Sequence, residues 1–200
     1  MIRNIVPLSS FIIFFFLFLF LNTHAAEANW KPAKNGDKII LIRHSKAPGF
    51  GDPPGFKIKD CKTQRNLSME GINQSKKIGK LFKKNQIKID QVLSSQWCRC
   101  KDTAKYAFIN YKEFPALNST FQPPYDENAK KQIKELKNYI QKWNGNGSNL
   151  VLVTHYVIIT AITDVAPRSG EIVIIDKNYN TLSTISVSYT HLTLPTTSPV

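Results

Sequence analysis

Cysteine is scarce in this sequence, in which Cys61, Cys98 and Cys100 are the only three. An odd number, with no second closely spaced pair, argues against a structural zinc site, which takes about four ligands. Cys98 and Cys100 are too close in sequence to bond to each other without strain. Any disulfide therefore joins Cys61 to one of these two, which an exported protein allows. The alternative is that the cysteines are free or buried thiols.

Acidic residues are also few, 14 against 27 lysines and arginines. Such a balance can mark a protein that binds nucleic acid or an acidic membrane. However, the lysines recur at the spacing of solvent-exposed helix faces, as in the stretches 76–84 and 130–137, with few arginines or aromatic residues among them. We therefore expect no nucleic-acid partner, and we interpret the charge as exposed helix faces that also attract anionic substrates.

The amino-terminal residues have the layout of a secretory signal peptide. Arg3 is the only early charge, an unbroken apolar run covers 11–21, and small residues surround Ala26. We predict that residues 1–26 are a signal peptide and that the protein is exported, either periplasmic or secreted. The alternative is an uncleaved anchor, although the apolar stretch is short for a membrane span of about 20 residues. An uncleaved segment is the only membrane contact that we expect.

Residues 29–186 contain no internal repeat and no low-complexity segment, and they suffice for one domain with a sizeable core. Residues 187–200 resemble translated sequencing-adapter read-through, and we interpret them as a non-native tail. The alternative is an ordinary edge strand, because apolar residues from Ile185 to Tyr189 alternate with polar ones.

The domain alternates between strand patterns and helix patterns. Runs of branched apolar residues at 39–42 and 150–153 predict strands that are buried on both faces. The predicted order is strand 38–43, helix 68–84, strand 91–95, helix 98–109, helix 128–143, strand 149–154, helix 156–165, strand 171–176 and a last strand near 182–187. This alternation predicts a layered α/β domain.

Two of the predicted strands are followed directly by a histidine. His44 follows Arg43 at the end of the first strand, and His155 follows the strand 149–154. The strand between them in sequence leads to Arg99, in the first turn of a helix, where free N–H groups attract anions. If these strands are neighbours, two guanidinium groups and two imidazoles meet at the ligand-binding edge of the sheet. Because guanidinium groups match phosphate oxygens, we predict a phosphate pocket there. The alternative for each histidine is a purely structural role.

Four blocks of the chain, in order, resemble the motifs of the histidine phosphatase superfamily, which has the phosphoglycerate-mutase-like fold. They resemble the Arg-His-Gly signature, the Leu-Thr-x-x-Gly-x-x-Gln helix start, the Ser-Ser-x-x-x-Arg motif and the late histidine after a strand. The matching blocks are Arg43-His44-Ser45, 67–74, 94–104 and 151–155. Arg65 also resembles an arginine of the small phosphohistidine-phosphatase-like branch.

The resemblance implies a three-layer α/β/α sandwich with a mostly parallel central sheet. It also implies a phosphohydrolase in which His44 attacks the phosphoryl group and is itself phosphorylated before water releases phosphate. Arg43, Arg99 and a protonated His155 balance the charge on the transferring oxygens, and Arg65 is a further phosphate-binding residue. No metal or other cofactor is expected, because these side chains supply the positive charge.

The chain departs from the superfamily pattern at two points. Ser45 stands where glycine is usual, which leaves the backbone less free there. No carboxylic acid occupies the usual general-acid positions. This leaves Asp52 and Asp60, in the loop after His44, as candidate acids, although a turn residue and a surface residue are the alternatives. Unless one of them folds over the site, we expect a preference for phosphoramidates or for esters with good leaving groups.

The expected substrates are phosphomonoesters or phosphoramidates, carried by small molecules or by phosphoproteins. The alternative function is that of a non-catalytic, phosphate-binding or regulatory pseudo-phosphatase.

Overall fold

The computed structural model describes residues 29–188. The predicted signal peptide and residues 189–200 of the suspected tail lie outside the described residues. Val187, at the start of that suspected tail, is buried, and its carbonyl accepts a hydrogen bond from Gln74. Within residues 29–188, no helix is long and apolar enough to cross a membrane.

The centre of the domain is a six-stranded sheet in the order β3-β2-β4-β1-β5-β6. Its first four strands are mutually parallel, and β5 is antiparallel to both of its neighbours. The strands are β1 Ile39–Arg43, β2 Ile89–Ser94, β3 Lys112–Glu113, β4 Asn149–Thr154, β5 Ile172–Ile175 and β6 Thr181–Ile185. The expected adjacency of β1, β2 and β4 is confirmed, with β4 in the middle.

Helices cover both faces of the sheet. They are α1 Met69–Lys84, α2 Cys98–Phe108, α3 Ala129–Lys142 and α4 Tyr156–Thr163. Because strand side chains alternate between faces, Ile40 and Ile42 pack with the core under α1 and α2, whereas Ile39 and Leu41 pack with the core under α3 and α4. The predicted three-layer sandwich with a mostly parallel sheet is therefore confirmed.

Local signals explain the starts and ends of the helices. Ser68 caps α1, because its hydroxyl oxygen accepts a hydrogen bond from the N–H of Gly71. Helix α4 ends at Thr163, two residues before the predicted end, where Asp164 takes the left-handed conformation.

Two secondary-structure elements were not predicted from the sequence. Strand β3 is only two residues long and pairs in parallel with β2. A helical segment at 29–34 precedes β1, and Trp30 in this segment packs against Phe82 with ring centroids 5.2 Å apart. The predicted loops also contain short 3₁₀ helices, namely Cys61–Thr63, Pro115–Leu117 and Asp126–Asn128.

Candidate active site

The candidate site is a cavity of about 340 Å³ at the carboxyl ends of β1, β2 and β4. Strand β1 ends at Arg43 and leads directly to His44, and β4 leads to His155. Strand β2 leads through a short turn to α2, whose second residue is Arg99. The structure brings all four side chains to the lining of this cavity, together with Arg65 and Asp52.

The backbone carbonyl of the next residue, Ser45, holds the ring of His44 in one orientation. The ring is 3% exposed, and Nδ1 lies 2.9 Å from the carbonyl oxygen of Ser45. Since a carbonyl oxygen only accepts, Nδ1 carries the proton and Nε2 keeps a free lone pair. Burial, followed by the charge of Arg99, lowers the pKa of His44 well below 6.5. A buried, neutral imidazole with an unprotonated Nε2 is the form that acts as a nucleophile.

His155 lies beside His44, with 5.5 Å between the ring centroids. Its Nδ1 is 3.4 Å from a guanidinium nitrogen of Arg99, and its Nε2 is 2.9 Å from the hydroxyl oxygen of Ser95. Because a guanidinium only donates, Nδ1 accepts, and the single ring proton is on Nε2. Burial and then Arg99 lower the pKa of His155 well below 6.5. His155 therefore holds a neutral ring in this arrangement, and its expected protonated form belongs to the phosphoryl-transfer step.

Three arginines surround the two rings. Arg99 is 3% exposed, and its Nε has no hydrogen-bond partner among the described residues; the same holds for Nε of Arg43. Burial lowers the pKa of Arg43 and lowers that of Arg65 to about 10. Gathering three cations costs free energy, and an anion with several oxygens would offset that cost while it bonds the unpaired N–H groups.

Asp52 lies in the cavity lining but is bonded as a carboxylate. One oxygen accepts from Arg99 Nη1 at 2.8 Å and from the N–H of Arg65 at 3.0 Å. The other accepts from Trp97 Nε1 at 2.9 Å and from the same Arg99 nitrogen at 3.0 Å. All of these partners donate, so the carboxylate oxygens of Asp52 act only as acceptors in these four hydrogen bonds. The structure therefore places Asp52 in the cavity lining as the partner that orients Arg99, and it shows no hydrogen bond in which this carboxyl group is the donor.

Asp60, the second candidate acid, does not line the cavity. It is exposed, and its carboxylate accepts a hydrogen bond of 3.0 Å from the N–H of Lys62 at the start of a 3₁₀ helix. The loop thus uses Asp60 as a cap, and the structure does not bring this carboxylate to the site.

The predicted disulfide is present between Cys61 and Cys98, with 5.7 Å between the Cα atoms. It attaches the loop that carries Asp52 to the first residue of α2, next to Arg99. Cys100 is a free, buried thiol whose Sγ lies 3.4 Å from Nε2 of His155, and burial raises its pKa to about 12. A thiol with so high a pKa stays protonated and unreactive.

The turn after His44 accommodates Ser45 at a position where the superfamily pattern usually has glycine. Its φ is not positive, and its hydroxyl oxygen accepts a hydrogen bond of 2.8 Å from Ser75. Its N–H donates to the hydroxyl of Thr103 at 3.0 Å. The turn after His44 therefore needs no glycine, and the substitution places another fixed hydrogen bond below the nucleophile.

Several side chains that line the cavity were not predicted as functional residues from the sequence. Phe50, Phe121 and Tyr156 stand at the mouth of the cavity, and Gln122 joins the two loops that carry the phenylalanines. Phe50 and Phe121 come from the segments 47–66 and 110–127, which have no periodic pattern. Nothing in their spacing indicates that these aromatic rings meet.

Within residues 29–188, no group of three or more histidine, cysteine or acidic side chains is arranged to hold a metal ion. The positive charge in the cavity comes from the three arginines. Such a site can bind a tetrahedral oxyanion, place it against an imidazole nucleophile and stabilise charge on its oxygens.

Solved structures share this fold. SixA, a protein histidine phosphatase complexed with tungstate, gives a TM-score of 0.50 at 14% identity over 74% of this chain and 96% of that chain. A protein of Escherichia coli assigned as an alpha-ribazole-5'-P phosphatase gives 0.55 at 15% identity over 77% and 98%. A protein of Agrobacterium tumefaciens assigned as the phosphohistidine phosphatase SixA gives 0.52 at 17% identity over 75% and 98%.

No protein-family model matches the sequence, and no curated protein matches it either. At these identities the structural likeness establishes the fold. The expected three-layer α/β/α fold is thus confirmed by its likeness to these solved structures.

Proposed function

We propose that this chain is an exported phosphohydrolase that uses His44 as its nucleophile and passes through a phosphohistidine intermediate. One observation carries the proposal. The hydrogen bond from His44 Nδ1 to the Ser45 carbonyl leaves an unprotonated Nε2 inside a cavity lined by Arg43, Arg65 and Arg99. The neighbouring folds named above carry phosphatase names, which supports the same reaction class.

In the first step, Nε2 of His44 attacks phosphorus, the bond from nitrogen to phosphorus forms, and the bond to the leaving group breaks. The Nδ1 proton stays bonded to the Ser45 carbonyl, which stabilises the positive charge on the ring. The arginines bond the oxygens of the transferring group as their charge shifts. Water then attacks phosphorus, releases inorganic phosphate and restores the neutral ring.

His155 takes its role from the same cluster. An anionic phosphoryl group beside its ring favours the protonated form and raises the low pKa of His155. The proton would then be gained on substrate binding, at Nδ1. We therefore propose that His155 stabilises charge after binding, although it is neutral beforehand.

The hydrogen bonds of Asp52 bear on which leaving groups the site can handle. Among the cavity-lining residues, Asp52 is the sole carboxylate, and Arg99 and Trp97 donate hydrogen bonds to it. A simple alkoxide needs a proton as it departs, and a positioned acid contributes about 10²–10⁴-fold to such a step. We therefore propose that phosphoramidates and phosphomonoesters with good leaving groups are the better substrates.

Export is part of the proposal. The layout of residues 1–26 motivates it, and the bond between Cys61 and Cys98 supports it, because disulfides persist mainly outside the reducing cytosol. A fusion of residues 1–28 to a reporter that is active only after export tests this point. Retention of the reporter inside the cell would contradict it.

The activity test is a phosphatase assay on the chain without its first 26 residues. The panel contains a phosphoramidate, an aryl phosphate, an alkyl phosphate and a phosphohistidine-bearing protein. Turnover of the first two that disappears in His44→Ala is the expected result. Turnover that persists in His44→Ala would contradict the assignment of the nucleophile.

The engaged state of Asp52 also favours a second candidate, a phosphate-binding protein without turnover. It predicts that inorganic phosphate binds with normal affinity, and that no member of the panel is hydrolysed. The same assay, combined with calorimetry of phosphate binding, separates the two.

A further inference from the structure

Exposed aromatic surface is concentrated at the mouth of the candidate site. Among residues 29–188, seven large apolar side chains are exposed, and three of them line this cavity. These are Phe50 at 87% exposure, Phe121 at 44% and Tyr156 at 42%. They come from three separate segments, and we refer to them together as the aromatic rim. Large apolar side chains left in water at a ligand site commonly contact the ligand.

The rim is held in place by contacts of its own. Phe50 and Phe121 pack edge to face, with 4.8 Å between ring centroids at an interplanar angle of 90°. Beside them, the side chain of Gln122 accepts a hydrogen bond of 2.9 Å from the N–H of Asp52. The ring of Tyr156 lies 5.5 Å from the guanidinium carbon of Arg43. These contacts place the rim next to the arginines and histidines of the cavity.

The floor and the rim differ in chemistry. The floor consists of the histidines and arginines, which suit a phosphoryl group, and the rim offers ring faces and edges. A cavity of about 340 Å³ lies within the range of about 300–1,000 Å³ that is typical for organic ligands. The site thus has room for a substituent on the phosphoryl group. This substituent would lie against the aromatic rings of the rim.

We propose that the aromatic rim binds a planar ring bonded directly to the phosphoryl oxygen, so that the substrates are aryl or heteroaryl phosphates. This inference rests on the proposed function. A planar ring packs on fixed aromatic side chains in stacked or edge-to-face geometry. The choice also agrees with the hydrogen bonds of Asp52, in which the carboxylate only accepts. When the oxygen–phosphorus bond breaks, the electron pair stays on the ring oxygen and is delocalised into the ring. Departure then needs no acid in the site, and water supplies the proton afterwards.

Binding of phosphonates tests the rim without any turnover. Isothermal titration compares phenylphosphonate, cyclohexylphosphonate and methylphosphonate, with inorganic phosphate as the reference for the floor. The proteins are the unaltered chain, the double variant Phe50→Ser with Phe121→Ser, and Leu182→Ser. Leu182 is an exposed apolar residue on β6 that does not line the cavity.

We expect phenylphosphonate to bind about tenfold tighter than the other two phosphonates, a preference of the size that aromatic pairs provide. The preference disappears in the double variant and remains in Leu182→Ser, while phosphate affinity is the same in all three proteins. Equal affinity for phenyl and cyclohexyl groups overturns the inference, as does a preference that survives in the double variant. In both cases normal phosphate binding leaves the proposed function standing. If the unaltered chain does not bind inorganic phosphate, both the inference and the proposed function are overturned.

Discussion

Replacing Asp52 with asparagine tests whether this residue orients Arg99 or donates a proton. Both side chains of the pair are 3% exposed, and Nη1 of Arg99 lies 2.8 Å from the carboxylate. Removing one charge of a buried pair costs roughly 3 kcal/mol or more, because the other charge stays buried. For a domain of this size that corresponds to a melting temperature lower by about 6–12 °C. Thermal unfolding followed by circular dichroism measures the shift.

The kinetic effect of Asp52→Asn separates the two roles. If Asp52 orients Arg99, the variant lowers kcat/KM by about tenfold to a hundredfold, less than the 10²–10³ for complete loss of a donor. The loss is then equal for an aryl and an alkyl phosphate, because both pass the same phosphoryl group to His44. The exposed Asp60, changed to asparagine, is the matched control, and we expect it to leave both rates unchanged.

A selective loss on the alkyl phosphate would refute this reasoning. A general acid matters most for the poorer leaving group, so its removal would cost about 10²–10⁴-fold there and little on the aryl ester. That outcome would show that Asp52 releases a proton despite its four hydrogen bonds.

Three further predictions concern stability. His44 and His155 have pKa values well below 6.5, so between those values and pH 6.5 only the unfolded chain takes up these protons. Their stabilising contribution is complete above pH 6.5 and is lost as the pH falls, by up to about 1.4 kcal/mol per pH unit for each ring. Urea unfolding at a series of pH values should show this slope, reduced in His155→Gln, and equal slopes would contradict it. The disulfide closes a loop with a sequence separation of 37, so Cys61→Ala should lower the free energy of unfolding by roughly 4 kcal/mol. Adding Cys98→Ala should then cost little more, and additive losses would contradict the bond. A methyl group at Gly71 would overlap the carbonyl of Lys46, so Gly71→Ala should cost about 2 kcal/mol in the same assay; an unchanged midpoint would show that α1 shifts freely.

The central strands were predictable because their run of apolar residues indicates a strand that is buried on both faces. Four branched apolar residues in β1, and a similar run in β4, can be satisfied only by burial on both faces. Once those strands pair, the geometry of parallel strands brings Arg43, His44 and His155 to one edge. Local patterns thus predicted a layered α/β domain and, if these strands are neighbours, the centre of the site, whereas the three-layer sandwich was implied by the family resemblance.

Contacts between distant loop residues were not predictable in this way. Asp52 and Arg99 are separated by 47 positions, and no periodic pattern links the loop 47–66 to α2. The hydrogen bonds of Asp52 and the neutral state of His155 depend on which donors and acceptors surround them after folding. The aromatic rim was missed for the same reason, since Phe50 and Phe121 meet only through the tertiary structure.

Trapping the phosphorylated enzyme tests the central claim most directly. The chain is mixed with an aryl phosphate, quenched within milliseconds in base, where phosphohistidine survives, and digested for mass spectrometry. We expect a phosphoryl group on His44 in the unaltered protein and none in His44→Ala. Turnover without a trapped intermediate, or a phosphoryl group on His155 instead, would contradict it.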